Sequence, residues 1–381
     1  MDVLNACILA VFLLVFLVRL LIILHSIRLL VKIKYVRTEP FVPDTFPPVS
    51  VLIAARNERD NLQKNLPLVL EQAYRGEFEV IVILDSCVDD SKRVILDLQN
   101  RYDHLKYTEV FQDKRFDKYK KMAILLGVKA AAYDHLVFID ADCEPVSEKW
   151  LERMATKFTE KNLILGYGGM KKGRGLLNLM QRYDTLYNSV LYFSSALAGK
   201  PYMAVGRNMA YHKELFHKAG GFKKHYHLPS GNDDLFVRDV ADFAETGICI
   251  HPDSFVFTAP AQTFKDFFFK KIRHTSISYY YQTGVKIFLA ADALSRFLFV
   301  PLLLFSYLFF YFNDNLFAKI VLLLGLVKFL AELLILHPIY KHFDEERIFR
   351  NGIWLEMLTP AFVAVSMLYA KVRKKEQNNW L

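Results

Sequence analysis

The chain has 381 residues, 53% of them hydrophobic and 23% charged, and a formal net charge of +9. This length allows one globular domain of ordinary size together with several membrane spans. Many basic residues flank apolar segments, which favours contact with a membrane surface and leaves nucleic acid outside the expected partners. The four cysteines have no C-x-x-C spacing, so the sequence excludes a zinc ribbon and indicates reduced thiols.

The first apolar segment, residues 3–31, is too long for the core of a signal peptide and predicts a transmembrane helix within residues 1–34. Arg19 lies deep in this segment, so its side chain needs a polar partner or a tilted helix. Three basic residues follow the segment directly: Lys32, Lys34 and Arg37. The positive-inside rule therefore places the amino terminus outside and the following residues in the cytoplasm, with residues 35–47 as a linker.

Strand and helix patterns alternate in the next part of the chain. Short apolar runs predict strands at residues 49–55, 79–84, 107–111 and 135–139. Helical patterns follow the first three of these runs, at residues 57–70, 91–101 and 121–132. This alternation is typical of α/β domains with a mostly parallel sheet and helices on both faces. Ligands of such sheets bind at the carboxyl ends of the strands.

Polar residues stand where three of these strands end. Arg56 and Glu58 follow the first strand, Asp85 follows the second, and an Asp-Ala-Asp triplet with Asp140 and Asp142 follows the fourth. Two carboxylates one residue apart suit Mg²⁺ or Mn²⁺, which takes one or two protein carboxylates and fills its shell with phosphate oxygens and water. The alternative is an ordinary acidic turn that caps the next helix.

The C-terminal region, residues 294–381, is again rich in apolar residues. It predicts spans at about residues 294–312, 316–336 and 353–370. Residues 313–315 divide the first two spans, which predicts a helical hairpin, and residues 276–293 are the expected interfacial segment before it. Strict alternation would place the basic residues 371–375 outside, so the last segment could instead be re-entrant or interfacial, and the side of the C terminus stays open.

The order of these motifs resembles family 2 glycosyltransferases with a GT-A fold, of the membrane-bound bacterial type. The resemblance covers roughly residues 48–275, which would form a mostly parallel nucleotide-sugar-binding domain flanked by transmembrane helices. The run from Pro48 to Glu58 is similar to the family's first strand and nucleotide-binding turn, and Asp85 matches the acidic residue used on the nucleobase, commonly uracil. The resemblance implies nucleotide contacts from Ala54, Arg56, Glu58 and Asp85.

Two further segments of the domain resemble the parts of the family that bind phosphate and metal. The run from Lys120 to Ala123 resembles the Gly-Lys-rich turn, although Tyr119 stands where Gly is usual. The resemblance implies phosphate contacts from Lys120 and Lys121, and a solvated helix start is the alternative. The Asp-Ala-Asp-Cys run matches the metal-binding segment. It implies a metal site at Asp142 and Asp140, with Asp140 also on the nucleotide.

Three later motifs complete the resemblance. The run 206–211 is similar to the segment that lines the donor-sugar and acceptor pocket, which implies pocket roles for Arg207 and Asn208. The turn 230–235 looks like the Gly-Glu/Asp-Asp motif. It implies that Asp233 is the catalytic base and that Asp234, its local rival, lies in the pocket. Asn232 replaces the commoner acidic neighbour in this turn.

The run Lys270–His274 resembles the Gln-x-x-Arg-Trp segment, with Lys270 in place of Gln and His274 in place of Trp. The resemblance implies that Arg273 contacts the pyrophosphate and that His274 lies in the acceptor pocket. The alternative is a juxtamembrane basic cluster attracted to lipid headgroups. The neighbouring aromatic stretches, residues 264–269 and 279–281, suit either an interfacial helix or packing against the chain's own spans.

The resemblance implies an inverting, metal-dependent glycosyltransferase that uses Mg²⁺ or Mn²⁺. The expected donor is a nucleotide-diphosphate sugar, of the UDP-linked kind common in the family, and the expected acceptor is lipid-linked or a cell-envelope polysaccharide. Membrane lipids and other envelope-biosynthesis proteins are further expected partners. The expected location is the bacterial inner membrane, with the catalytic domain in the cytoplasm. Three alternatives stay open: a processive polysaccharide synthase, a polyprenyl-phosphate glycosyltransferase and a catalytically inactive membrane scaffold.

Overall fold

The computed structural model describes residues 3–36, 45–110, 120–228 and 230–378. The chain divides into two compact units. The helical unit comprises Met1–Lys34, Arg174–Ser194 and Gln262–Leu381, and the sheet unit comprises Tyr35–Gly173 and Ser195–Ala261. The predicted domain 48–275 thus differs from the sheet unit, because residues 174–194 and 262–275 group with the apolar helices.

The sheet unit contains two β-sheets, and its elements are numbered along the chain together with those of the helical unit. The strands are β1 (Val49–Ala55), β2 (Phe78–Asp85), β3 (Leu105–Val110), β4 (His135–Phe138), β5 (Cys143–Pro145), β6 (Leu163–Gly166), β7 (Gly168–Met170), β8 (Met209–His212), β9 (Thr246–Cys249) and β10 (Val256–Thr258). The helices are α3 (Arg59–Leu70), α4 (Ser91–Gln99), α5 (Lys120–Ala130), α6 (Trp150–Ala155), α8 (Lys213–Lys218) and α9 (Asp234–Val240).

The larger sheet has the strand order β3-β2-β1-β4-β8-β6-β9. Strands β3, β2, β1 and β4 are parallel, whereas β8 runs antiparallel to both β4 and β6. Strands β1, β2 and β4 are mostly buried on both faces, which explains why they are apolar runs in the sequence, whereas most residues of the edge strand β3 are half-buried. The prediction of a mostly parallel sheet is confirmed.

Helix α5 lies close against this sheet. A Cβ atom at Gly127 would come within 2.7 Å of the Ile83 side chain, so only glycine permits this approach without a shift of Ile83. The close contact fixes the start of α5, where Lys120 and Lys121 stand, at the carboxyl edge of the parallel strands.

The smaller sheet has the order β5-β10-β7 and consists of three-residue strands. In its register, Thr258 of β10 stands opposite Cys143 of β5, directly after the Asp-Ala-Asp triplet. These strands were not predicted, because a run of three residues is too short to show a strand period. Their consequence is that β10, which is more than one hundred residues away in the chain, supports the triplet.

The helical unit contains the remaining α-helices. They are α1 (Val3–His25), α2 (Ile27–Val36), α7 (Leu176–Leu197), α10 (Phe264–Ile277), α11 (Thr283–Asn313), α12 (Asn315–His342), α13 (Glu346–Arg350) and α14 (Gly352–Asn378). Within the described residues, four segments are long and apolar enough to cross a membrane: Val3–Val36, Thr283–Asn313, Asn315–His342 and Gly352–Tyr369.

Helix α11 begins eleven residues before the predicted span at 294. The sequence suggested a later start because Asp292 interrupts the apolar run. In the structure Asp292 is buried and forms an ion pair with Arg296, at 2.9 Å, so the helix continues through it. Helices α11 and α12 are separated near residue 314, where the Asp314 carboxylate accepts hydrogen bonds from the backbone N–H groups of Leu316 and Phe317 in the first turn of α12.

Arg19 is fully buried, and its need for polar partners is confirmed. Its guanidinium contacts Tyr187, Asp292, Glu332 and Glu356. Lys328 contacts Glu332 at 2.8 Å and Glu356 at 3.0 Å, and Arg296 pairs with Asp292. Three cations and three carboxylates therefore neutralise one another inside the helical unit, which is how buried charges are tolerated in apolar surroundings.

Candidate active site

A cleft opens at the carboxyl end of the parallel strands, within the sheet unit. Its apolar lining comes from Leu52, Ala54, Ile83, Ile124, Phe138, Ile139, Met209 and Tyr211, and its polar lining comes from Lys120, Asp140, Gly206 and Asn232. Four segments that are distant in the sequence therefore meet here. The first strand, the start of α5, the acidic triplet and the turn that carries Asp233 all contribute to one cleft, as expected for an α/β sheet.

The acidic triplet is held from both sides. The Asp140 carboxylate forms an ion pair with the Lys120 ammonium, and Asp142 Oδ2 accepts a hydrogen bond of 2.9 Å from the Thr258 hydroxyl. Potential ligand atoms of Asp140, Asp142 and Cys143 lie within 4.8 Å of one another. Sequence analysis missed Thr258, since nothing in its own neighbourhood marks it as a partner of the triplet.

The donor chemistry of this group fits a hard divalent cation. Burial, followed by the charges of Asp140 and Asp142, raises the pKa of the Cys143 thiol well above its ordinary value, so Cys143 is protonated and is a poor ligand. Two carboxylates then remain, which is the donor set that Mg²⁺ or Mn²⁺ uses beside phosphate oxygens and water. Burial opposes the charge of Lys120, but Asp140 outweighs it and raises the pKa of Lys120, so a positive charge already faces Asp140.

Glu58 adds a third carboxylate to this edge of the sheet. Its pKa is raised by burial, which a hydrogen bond of 2.6 Å from Asn61 opposes, and the charges of Asp142 and Asp140 raise it further. A bound cation would relieve this repulsion. Glu58 therefore lies within electrostatic range of Asp140 and Asp142. Its role at the nucleotide stays a prediction.

The Asp233 carboxylate is fixed by two backbone donors. The N–H of Gly206 donates to Oδ2 at 2.8 Å, and the N–H of Asp234 donates to Oδ1 at 3.0 Å. Asp233 thus caps α9 and remains half-buried, whereas Asp234 lies in the first turn of α9 and is only 6% exposed. The difference in exposure favours Asp233 over Asp234 as the group that meets an acceptor.

Residues at the ends of β1 and β2 lie next to each other. Arg56 and Asp85 form an ion pair of 3.9 Å, and the following residues Asn57 and Ser86 both have positive φ angles, of 55° and 52°. The Asn57 side chain accepts a hydrogen bond of 2.9 Å from the backbone of Val88, which joins the two turns. The structure therefore brings the predicted nucleotide residues Arg56 and Asp85 together at the edge where such ligands bind.

Two predicted site residues, Asn208 and Lys121, lie in environments that differ from the predicted ones. Asn208 does not line the sugar pocket: it is fully buried, accepts a hydrogen bond from the Trp150 indole and donates to the carbonyls of Tyr167 and Ser254. These three bonds make it a structural link between loops, and sequence alone cannot show that its side chain points inward. Arg207 is half-buried and donates to the carbonyl of Gly168.

Lys121 is the second correction. It is 1% exposed, and its ammonium donates to the carbonyls of His225, at 2.6 Å, and Leu228, at 2.9 Å. It therefore does not face a phosphate, while 39% of the Lys120 side chain is exposed beside Asp140. Adjacent residues of a helix point in directions about 100° apart, which separates the two lysines.

Two further predicted site residues belong to the helical unit. Arg273 and His274 belong to α10 of the helical unit, and their roles at the pyrophosphate and in the pocket stay predictions. Tyr119 and most of the linker at 35–47 lie outside the described residues.

Known proteins are similar to this chain in sequence and in fold. Residues 50–220 match the model for glycosyl transferase family 2. The chain is 28% identical over 218 residues to glycosyltransferase AglE of Haloferax volcanii, a match that covers 55% of this chain and 68% of that protein. It is 32% identical over 94 residues to the poly-beta-1,6-N-acetyl-D-glucosamine synthase of Staphylococcus epidermidis, covering 25% of this chain and only 21% of the synthase.

A solved structure is similar along nearly the whole chain. It is the mannosyltransferase PcManGT from Pyrobaculum calidifontis in complex with GDP-Man and Mn²⁺, with a TM-score of 0.55 and 17% sequence identity. The match covers 94% of this chain and 99% of the mannosyltransferase. At this identity the likeness shows the fold, and it confirms the predicted GT-A-like architecture.

Proposed function

We propose, from the premise that residues 50–220 belong to glycosyl transferase family 2, that this chain transfers a sugar from a nucleoside-diphosphate sugar to an acceptor at a membrane. One observation carries the proposal. The acid Asp140 and the turn that presents Asp233 line the same cleft at the carboxyl edge of the parallel strands. A group for the leaving diphosphate and a base for the acceptor therefore stand in one site.

The proposed reaction is a single displacement with inversion at the anomeric carbon. An acceptor hydroxyl near Asp233 loses its proton to that carboxylate, which acts as general base. The acceptor oxygen forms a bond to the anomeric carbon on the face opposite the diphosphate, and the bond from that carbon to the diphosphate oxygen breaks. The transition state has oxocarbenium character, as in other reactions at this carbon. The backbone N–H groups on Asp233 keep the base in place during the transfer.

Asp140 and Asp142 would hold Mg²⁺ or Mn²⁺, and such an ion, when bound, offsets the negative charge of a diphosphate leaving group. Lys120 adds positive charge beside Asp140. The mannosyltransferase of similar fold binds Mn²⁺ with its nucleotide-sugar, which supports the same class of cofactor here. We assign Ala54, Arg56, Glu58 and Asp85 to the nucleotide and Arg273 to the pyrophosphate.

The membrane helices determine which acceptors are favoured. Four candidate spans would tether the catalytic domain, and tethering raises the local concentration of a lipid-linked or envelope-bound acceptor. The basic residues that follow the first span favour a cytoplasmic catalytic domain, and we propose a bacterial inner membrane as its location. Helix α10 carries exposed Phe264 and Phe269 together with several basic residues, which suits a position in the interface.

The alternatives predict different products. A processive synthase yields long polymers, and a polyprenyl-phosphate glycosyltransferase yields one sugar on a lipid phosphate. The altered segment Lys270–His274 favours addition of single sugars over a processive reaction. A scaffold without activity would transfer nothing, although the acids Asp140, Asp142 and Asp233 are all present.

The test uses the full chain in nanodiscs with membrane extract as acceptor. UDP- and GDP-sugars, including GDP-mannose because the similar mannosyltransferase binds it, are supplied with Mn²⁺, with Mg²⁺ or with a chelator. We expect metal-dependent transfer from one donor and release of its nucleoside diphosphate, with the product size separating the alternatives. Absence of both nucleotide binding and transfer with every donor would refute the proposed function.

A further inference from the structure

We infer that Lys121 is a positioning residue, which holds the chain segment before the Asp233 turn and so places the catalytic base at the cleft. This inference rests on the proposed function of Asp233. It replaces the role that the sequence suggested for Lys121, a phosphate contact, with one that follows from its burial and its hydrogen bonds.

The contacts of Lys121 all lead to one segment. Its ammonium donates to the carbonyl of His225 at 2.6 Å and to that of Leu228 at 2.9 Å, and these residues lie eight and five positions before Asp233. The carbonyl contacts hold the end of the short helical turn Lys223–His225 and also Leu228, which lies three positions before Gly231, where φ is 85°. We expect a shift of this segment to displace the turn with Asn232 and Asp233.

The opposite side of the turn is fixed independently. Asp233 accepts hydrogen bonds from the Gly206 and Asp234 N–H groups, and Asn232 lines the cleft. Lys121 holds the chain segment before the turn, and the two backbone N–H groups hold the Asp233 carboxylate at the end of the turn. Catalysis by a general base requires this accuracy, because a displacement of about 1 Å can lower the rate by about 100-fold.

A buried ammonium is costly unless something compensates its charge. Burial lowers the pKa of Lys121 to about 8, and the charge of Asp233 opposes this shift. The carbonyl groups compensate the ammonium only as dipoles, so Asp233 supplies the negative charge that acts on it.

Other titratable groups around Lys121 have distinct partners. Lys120, on the same helix, pairs with Asp140. His225 is buried, and burial followed by the charge of Lys121 lowers its pKa to about 4, so it is neutral near pH 7. Behind His225, at 3.9 Å, lies Asp239, which pairs with Arg238.

The test compares Lys121→Gln, Lys121→Met and Lys121→Arg with Lys129→Met, a variant of an exposed lysine on the same helix. For the Gln and Met variants we expect kcat to fall about tenfold or more while the donor KM stays within about twofold. Lys121→Arg keeps the charge but places a longer, planar group against the two carbonyls, so its kcat should also fall, and Lys129→Met should resemble the wild type.

A merely structural role gives a different result. Melting temperature and the fraction of folded enzyme would fall, but kcat per folded molecule would not change, and that outcome overturns the inference. If the neutral variants do not fold, Lys121→Arg decides, because an unchanged kcat in that variant also overturns it. Failure of the proposed function is distinguishable, since the wild type itself would then show no transfer.

Discussion

Gly206 and Asp233, which are 27 residues apart in the chain, are joined by a hydrogen bond of 2.8 Å from the Gly206 backbone N–H to the carboxylate. Gly206 lines the cleft, so the proposed base is attached to the wall of the site that it serves. The contact is also close: a Cβ atom at residue 206 would lie 3.0 Å from Asp233 Oδ2. Residue 206 therefore acts on the location of the base through its backbone N–H and through its lack of a side chain.

Asp233→Asn should abolish transfer and spare nucleotide binding. The amide retains an oxygen and similar size, but it cannot accept the acceptor's proton, so we expect kcat to fall at least about 100-fold. Calorimetric titration with the nucleoside diphosphate and Mn²⁺ should give the wild-type affinity. Asp234→Asn is the matched control and should have the smaller effect. Wild-type turnover in the Asp233 variant would show that the base is assigned wrongly.

Gly206→Ala tests the close contact directly. The added methyl group meets Asp233 Oδ2 at 3.0 Å and Asn232 Nδ2 at 3.3 Å, so the carboxylate must move. We expect kcat to fall about tenfold or more, with nucleotide affinity nearly unchanged. Gly284→Ala is the control, because a Cβ atom there meets open space. Equal kcat values for the two variants would contradict the proposed control of the base by residue 206.

Thr258→Val tests the support of the acidic triplet. The substitution keeps the shape of the side chain and removes the hydroxyl that donates to Asp142 at 2.9 Å. We expect the Mn²⁺ concentration for half-maximal activity to rise about 10-fold or more, as when other residues behind metal ligands are lost. Thr246→Val is the control, since the hydroxyl of Thr246 has no hydrogen-bond partner among the residues that the structure describes. An unchanged metal requirement would exclude Thr258 as a support of the metal site.

The sequence predicted β1 and β2 well because these strands are buried on both faces and therefore appear as apolar runs, as for residues 49–55. It could not predict the support of Asp142 by Thr258, since β5 and β10 are too short to show a period and pair across more than one hundred residues. Nor could it distinguish Lys120 from Lys121, because the helix orientation that exposes one lysine and buries the other depends on tertiary packing.

Glu79→Gln should lower stability near neutral pH. Glu79 is buried, and its carboxylate accepts hydrogen bonds from Ser50 and the Ala132 backbone, each at 2.6 Å, and from Lys106 at 2.7 Å. Burial alone would raise the pKa of Glu79, but these bonds outweigh it and lower the pKa. A depressed pKa means that the stabilisation is present above the pKa of the unfolded chain and is lost as the pH falls through the folded value.

We therefore expect Glu79→Gln to cost about 2 kcal/mol at pH 7, the scale of a hydrogen bond to a charged group, and progressively less in acid. Thermal unfolding of the full chain in detergent measures both. Glu77→Gln is the control on the same strand edge, because Glu77 is exposed. A difference between the two variants that does not change with pH would show that the carboxylate charge of Glu79 is not responsible.

Arg19→Met should destabilise the helical unit strongly. Removal of this guanidinium leaves Asp292, Glu332 and Glu356 with only the cations Lys328 and Arg296, and an unpaired buried charge costs about 3–5 kcal/mol. Arg19→Met with Glu332→Gln leaves two cations for two carboxylates, so the second substitution should recover part of the loss. Arg28→Met, at an exposed position of α2, is the control. Fluorescence-detected size exclusion after heating measures the folded fraction, and strictly additive effects of the two substitutions would show that Arg19 and Glu332 do not stabilise one another.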